Sequence, residues 1–309
     1  MSYLPDGNSP LEDYDIFLDV SFIVTDLDGT LIDGDEPVLW QIKKLISKLK
    51  KQHTQITVAT GRTYYGAEAR MQELGIDVGM PVALYNGGVV VEYGTGNILY
   101  ASYVPGKVVW DLVNIVDLER TNIYIYCLTP CSPLDFGNKM SCIGEEVYAW
   151  GQSKRDVNGM IVRHIPVNQV FELKISAVLI EDNFRSWGEQ AKILKVLDQY
   201  SNIKVTNSGN GFVEIKGEGN NKGIIYDILN KYEKFSKGKR LAIGDNDNDI
   251  ELFNGADISV AVANSSPLAY TCADYICKKE SALGFEEMLR VLESAKRYCQ
   301  GEKNDKGVK

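Results

Sequence analysis

Residues 22–30 read Phe22-Ile23-Val24-Thr25-Asp26-Leu27-Asp28-Gly29-Thr30. An apolar run ends abruptly in two carboxylates two residues apart, followed by a glycine and a hydroxyl. As a buried parallel strand, this run places Asp26 and Asp28 at or just beyond its C-terminal end, where open α/β sheets keep their ligand sites. An ordinary strand closed by an Asp-Gly turn would look the same locally. Three further polar clusters downstream, each also closing an apolar strand, favour the functional reading.

Working outward, the next stretch, 38–51, carries Leu39, Ile42, Leu45, Ile46 and Leu49 on one face and predicts an amphipathic helix. A second short strand at 56–59 ends in Thr60-Gly61-Arg62, a helix follows over 65–74, and a third strand at 82–85 ends in Asn86-Gly87-Gly88. Strands and helices alternating in this way predict parallel pairing with right-handed crossovers. The rhythm breaks at Gly87-Gly88. Segments 89–92 and 98–104 flank Tyr93-Gly94-Thr95-Gly96-Asn97 as a hairpin. Beyond it the pattern gives a helix at 107–118, strands at 123–127 and 173–180, a helix at 185–200, and strands at 203–206 and 212–215. The stretch 128–169 has no clear period.

The first rhythm then resumes. Lys222 opens a helix whose inner face is Ile224, Ile225, Ile228, Leu229 and Tyr232. A strand at 241–243 ends in Gly244-Asp245-Asn246-Asp247-Asn248-Asp249, with a helix to 253, strands at 258–263 and 275–277, and a final helix to about 298 before a polar tail. Residues 1–20 read as an extended lead-in packed through Tyr14, Phe17 and Leu18. The expected fold class is therefore α/β. A Rossmann-like parallel-sheet core, 1–86 and 216–309, is interrupted by an α+β domain at 87–215.

Composition sets bounds on function. A chain of 309 residues exceeds what one compact core usually serves, which agrees with two domains. A net charge of −9 argues against nucleic acid or an anionic membrane as the main partner. The start of the chain lacks a basic segment followed by an apolar one, and no stretch approaches a transmembrane length, so a cytoplasmic protein is expected. Six cysteines in such a chain read as free thiols. Cys127, Cys131 and Cys142 lack a Cys-x-x-Cys pair, and His53 and His164 are the only histidines, so zinc is disfavoured.

A parallel sheet would bring Asp26/Asp28, Thr60, Lys222 and Asp245/Asn248/Asp249 to one rim. Carboxylates gathered this closely repel one another unless a cation sits among them. Hard oxygen donors without thiolate or imidazole predict Mg²⁺. Thr60 and Lys222 offer a hydroxyl and a point charge suited to phosphate oxygens. A carboxylate nucleophile, a divalent ion and a lysine make a phosphoryl-transfer site.

The four clusters in this order, DLDGT, VATGR, the lysine of NNKG and GDNDND, resemble the four motifs of the haloacid-dehalogenase-like hydrolase superfamily. The place of the insertion, the NGG after the third strand and the VEIKGEGNNKG run are similar to the Cof-type branch of small-molecule phosphatases. The resemblance spans residues 22–292; each motif alone is weak, and the ordered set is specific. It implies that Asp26 attacks phosphorus and that Asp28 serves as acid and then base. It also implies that Thr60, Gly61, Lys222 and Asn248 hold the phosphoryl group, with Asp26, Asp28, Asp245 and Asp249 around Mg²⁺. Arg62, Asn86 and Gly87 are candidates on the substrate and cap side; Arg62 could equally pair with a surface carboxylate, and Asn86 and Gly87 could be hinge residues. Asp249 could support the site without touching the ion. Asp28 separates a phosphatase from a dehalogenase, because a halide leaves without a proton. Ala263-Asn264-Ser265 departs from the family's usual Gly-Asn-Ala.

The expected function is a Mg²⁺-dependent phosphatase of small phosphorylated metabolites, sugar phosphates foremost. Two other readings stay open: transfer to an acceptor other than water, and a phospho-metabolite binder without turnover.

Overall fold

The computed structural model describes residues 2–34, 36–130, 143–157, 159–182, 187–207, 212–235 and 237–305. The chain divides into two compact units, one of Met1–Gly61, Ala67–Ala83 and Asn221–Lys309, the other of Arg62–Gly66 and Leu84–Asn220.

The first unit is built on β1 (Ser2–Tyr3), β2 (Val20–Thr25), α1 (Trp40–Lys51), β3 (Gln55–Val58), α2 (Tyr64–Leu74, whose first residues belong to the second unit) and β4 (Pro81–Leu84). The second contains β5 (Val89–Glu92), β6 (Ile98–Ala101), α3 (Gly106–Val113), β7 (Thr121–Pro130), β8 (Ile143–Trp150), β9 (Ile175–Asp182), α4 (Trp187–Leu197), β10 (Ile203–Asn207) and β11 (Phe212–Gly217). The chain returns to the first through α5 (Ile224–Leu229), β12 (Lys239–Gly244), α6 (Ile250–Asn254), β13 (Ile258–Ala261), α7 (Pro267–Cys272), β14 (Tyr275–Ile276) and α8 (Ser281–Asp305).

The order β1-β14-β13-β12-β2-β3 forms one sheet, parallel throughout. Val20 and residues 22–25 of β2 are buried, as a central strand covered on both faces requires. From β2 the chain moves one way through α1 to β3, and Ala83 bridges Ala59 beyond it; it later returns on the other side through β12, β13 and β14. The strand order therefore reverses between β2 and β12. The crevice at the carboxyl ends of two such strands is where doubly wound sheets bind ligands. Asp26 follows β2 and Asp245 follows β12, so both expected clusters stand at this switch point.

Helix α1 buries Ile42, Leu45, Ile46 and Leu49, and carries Lys48, Lys50 and Lys51 in its last turn, where cations suit the negative end of the helix dipole. It lies beside α8, to which Lys48 is tied through Glu293 at 2.9 Å. The lead-in is more ordered than an extended segment. Ser2 and Tyr3 pair in parallel with Tyr275 and Ile276, and Leu11–Phe17 is a 3-10 helix. Tyr14 and Phe17 are buried against Tyr298 and Tyr275, with ring centroids 5.6 and 5.1 Å apart, while Leu18 is only partly covered. The final helix also continues past 298, to Asp305, and Lys222 lies in the turn before α5 instead of in its first turn.

In the second unit β5 and β6 pair as a hairpin, and β10-β11-β9-β7-β8 form an antiparallel sheet. Alternation along each strand sends Ile123, Ile125, Cys127, Val178 and Ile180 to the face covered by α3 and α4, where Val108, Val109, Leu112, Ile193 and Leu197 complete the core. Alternate residues, including Tyr124 and Tyr126, face the other way. Part of the stretch without a clear period proves to be strand: β7 reaches Pro130 and β8 runs from Ile143 to Trp150. Cys131 and Cys142, weighed above as zinc ligands, and the first residues of the helix expected at 185–200 lie outside the described residues. Cys127 is a buried free thiol, raised to about 12 by burial.

Candidate active site

Strand β2 continues one residue past its last ladder pair, where the Asp26 N–H donates to the Ile243 carbonyl at 3.0 Å. This fixes the backbone and leaves the Asp26 carboxylate at the rim, 5% exposed. The chain then turns sharply, with Leu31 and Ile32 N–H groups both donating to the Leu27 carbonyl at 2.8 and 3.0 Å. Gly29 has φ +75°, and a Cβ there would lie 2.5 Å from Asp245 Oδ2. Only glycine allows both that turn and that approach. Thr30 Oγ1 donates to Asp245 Oδ1 at 2.7 Å, so the first motif orients the fourth.

Asp245 begins a turn that closes on itself. Asp249 accepts backbone N–H bonds from Asp245 at 2.9 Å and Asn246 at 3.0 Å through Oδ2. Its other oxygen accepts from Lys222 Nζ at 2.7 Å. The same ammonium lies 2.9 Å from Asp26 Oδ1. Lys222 and Asp249 are fully buried.

The electrostatics follow from this burial. Desolvation pushes the Asp26 carboxyl up to about 8, against the pull of Lys222 and with the Asp249 charge adding to the rise. Asp245 is pushed up to about 6, again chiefly by burial, with Thr30 opposing and Asp249 adding. Burial alone would lower the Lys222 ammonium; Asp249 and Asp26 outweigh it and hold the group charged. Three carboxylates thus share one cation, and that charge imbalance in a dry site favours a second. Asp26, Asp245 and Asp249 each offer an oxygen within 4.8 Å of the others, the one such group among the described residues. All three are hard donors that fit a small divalent cation.

The remaining residues named from sequence fall in two places. Asp28 is exposed and close enough for its charge to raise Asp245. Thr60 is buried at the end of β3, beside β2 in the sheet, with its N–H on the Ala83 carbonyl at 2.9 Å and Gly61 next in the chain. Asn248 is exposed in the 3-10 turn Asp247–Asp249. These belong to the first unit with the acids and Lys222. Arg62, Asn86 and Gly87 belong to the second. Arg62 donates to the Gly66 carbonyl at 2.9 Å. Tyr85, Asn86 and Gly87 have φ of 53°, 54° and 85°, a left-handed run that turns the chain sharply after β4.

Two residues were not singled out from sequence. Asn220 is 3% exposed with neither amide atom hydrogen-bonded, packed where a Cβ on Gly88 would meet it at 2.9 Å. Glu145 gathers donors from two other segments of its unit. Asn220 stands in the NNKG run two residues before Lys222, where attention went to the lysine, and Glu145 lies in the stretch of no clear period.

The match to known proteins agrees with this geometry. The chain belongs to the haloacid dehalogenase-like hydrolase family, which matches residues 23–289. It is 27% identical over 266 residues to a putative phosphatase of Mycoplasma pneumoniae, covering 83% of this chain and 91% of that one. It is 20% identical over 277 residues to the 5-amino-6-(5-phospho-D-ribitylamino)uracil phosphatase of Bacillus subtilis, covering 88% and 96%. The fold is shared with a solved haloacid dehalogenase-like hydrolase from Bacteroides thetaiotaomicron, at TM-score 0.67 and 21% identity over 90% of this chain and 99% of that one. No described helix is long and apolar enough to cross a membrane.

Proposed function

We propose that this phosphatase of small phosphorylated compounds is Mg²⁺-dependent, acts on phosphate esters of sugars or related polyols, and works through an aspartyl-phosphate on Asp26. The observation that carries the reading is the Asp26 carboxylate held at the switch point, 2.9 Å from a buried lysine and beside a second acid. The B. subtilis relative, whose name gives a phosphorylated ribityl compound as substrate, supports the polyol class.

Asp26, Asp245 and the Asp28 backbone would hold the ion. When bound it neutralises charge on the phosphoryl oxygens and on the crowded carboxylates. Asp26 attacks phosphorus through one carboxylate oxygen, and the ester oxygen leaves. Asp28, exposed to solvent, donates the proton that the leaving oxygen needs and later takes one from the water that hydrolyses the acyl phosphate. Lys222 points its charge at Asp26 and the phosphoryl oxygens arriving there, joined by Thr60, Gly61 and Asn248. Asp249 is better placed to hold Lys222 than to bind the ion, because both its oxygens already accept bonds. Most of the rate comes from positioning and charge, as phosphoryl transfer requires little covalent help. The second unit supplies the leaving-group contacts, with Arg62, Asn86 and Gly87 as candidates, and is the cap of the enzyme.

Phosphate release from p-nitrophenyl phosphate and a panel of sugar phosphates, with Mg²⁺ and with a chelator, tests the reading. Acid-stable labelling of the wild type by radioactive substrate, absent in Asp26→Asn, is expected. Binding of phosphorylated compounds without release of phosphate from any of them would favour a binder, and product ratios that shift with added alcohols would favour transfer to a non-water acceptor.

A further inference from the structure

The segment Arg62–Gly66, which follows Thr60-Gly61 directly, is held by a carboxylate distant in sequence. Glu145 on β8 accepts from the Tyr65 N–H through Oε2 at 3.0 Å. The Thr63 hydroxyl and the Tyr64 N–H donate to the same carboxylate. Its other oxygen accepts from the Tyr85 hydroxyl. Thr63 Oγ1 in turn accepts from the Gly66 N–H at 3.0 Å, so this hydroxyl caps α2 while giving its own proton to Glu145. Tyr85 closes the ring from the backbone side, its N–H on the Arg62 carbonyl at 3.1 Å. All of these residues lie in the second unit.

Four donors converge on one acid. Two are N–H groups of the first helical turn, which an anion satisfies together with the helix dipole. A helix can be capped by a neutral local side chain, and Thr63 already serves that purpose. A carboxylate is therefore not needed for the cap itself. What it adds is a tie between the Arg62–Gly66 turn, strand β8 and the left-handed turn at Tyr85, and the tie fixes where Arg62 can place its guanidinium.

We propose that Glu145 is a positioning residue for catalysis: as an anion it locks the Arg62–Gly66 segment, and through it Arg62, in the conformation that receives the phosphate ester. The inference rests on the phosphatase reading above. Although the residue keeps some exposure, its carboxylate is enclosed, and burial, with the Asp156 charge adding, pushes it up to about 7 against the donors Tyr65, Thr63 and Tyr64. The Tyr85 hydroxyl donates to it, and Tyr126 lies against Tyr85 at 6.3 Å between ring centroids. The lock is thus charged above neutrality and loses its charge just below.

The test compares wild type with Glu145→Gln, measuring kcat and KM for p-nitrophenyl phosphate with saturating Mg²⁺ across pH 5 to 9. Wild-type kcat/KM should rise with a midpoint near pH 7, where Glu145 ionises. Glu145→Gln should lose that step and stay roughly tenfold lower at pH 8, mainly through KM, since a neutral amide replaces charge-assisted bonds. Tyr85→Phe removes one donor to the anion and should move the midpoint upward. Superimposable profiles of wild type and both variants would overturn the proposal. Amide NMR of Tyr64, Tyr65 and Gly66 gives a readout independent of turnover: these signals should titrate near pH 7 in wild type and not in Glu145→Gln. If they titrate while no phosphate ester is hydrolysed, the lock exists and the functional reading fails. If they do not titrate in wild type, the lock itself is wrong.

Discussion

Asp249 holds Lys222 by an ion pair of 2.7 Å in which neither side chain is exposed to solvent. The acid is itself fixed by the N–H groups of Asp245 and Asn246, so the lysine is aimed at Asp26 by a rigid turn and not by its own flexible stem. Breaking an isolated buried pair typically costs about 3–5 kcal/mol. Here Asp26 still faces the ammonium at 2.9 Å, so the loss falls below that range and comes from the lost ion pair and the two N–H groups left without their acceptor. Asp249→Ala should therefore shift the urea midpoint downward by a corresponding amount and depress kcat even where the protein remains folded. A variant as stable and active as wild type would show that Lys222 finds its place without this acid.

The roles proposed for the two acids in the first motif should separate by leaving group. Asp26→Asn should lower turnover by at least about 10³-fold, with the fold retained by circular dichroism, because an amide does not form the acyl phosphate. Asp28→Asn should slow an alkyl phosphate far more than p-nitrophenyl phosphate, whose phenolate departs without a proton. Equal losses for the two substrates would remove the acid role from Asp28.

Metal binding should be linked to protons. Asp26 at about 8 and Asp245 at about 6 both lie above the 3.8 of an unperturbed aspartate. In the metal-free protein the folded state then binds protons that the unfolded chain has released, so these two groups lower stability as pH rises from about 4 to 8. Mg²⁺ competes for the same oxygens and binds the deprotonated form. Its apparent affinity should weaken as pH falls from 8 to 6, and it should raise the melting temperature more at pH 8 than at pH 6. Calorimetry in buffers of different ionisation heat should show proton release on binding; an affinity independent of pH would contradict the linkage.

Gly29 tests the contact between the first and fourth motifs. Gly29→Ala must adopt φ +75° and place a Cβ within 2.5 Å of Asp245 Oδ2. Strain of this kind costs about 1–3 kcal/mol. Because the atom displaced belongs to a candidate metal ligand, the variant should also need more Mg²⁺ for half-maximal activity. An unchanged Mg²⁺ requirement would mean that Asp245 is not a ligand.

The core was largely legible in advance because its signals are local. A run such as residues 22–24 reports a buried strand through its own composition, and α1 reports its inner face through Ile42, Leu45, Ile46 and Leu49 at helical spacing. Alternation of strand and helix restricts the connections to right-handed crossovers, which in turn places Asp26 and Asp245 at one sheet end. The lead-in was harder to read: two residues of strand, Ser2 and Tyr3, carry no periodicity, and only an available sheet edge at β14 makes them one.

The parallel sheet, the order of the four motifs and a donor set of hard oxygens beside one lysine were readable along the chain, since these depend on residue type and short-range spacing. Tertiary structure alone decided that Asp249 grips Lys222 across 27 positions and that Glu145 reaches Tyr65 across 80. Such partners are selected by strand order, burial and the need to satisfy polar groups removed from water, and none of these is a property of neighbouring residues along the chain.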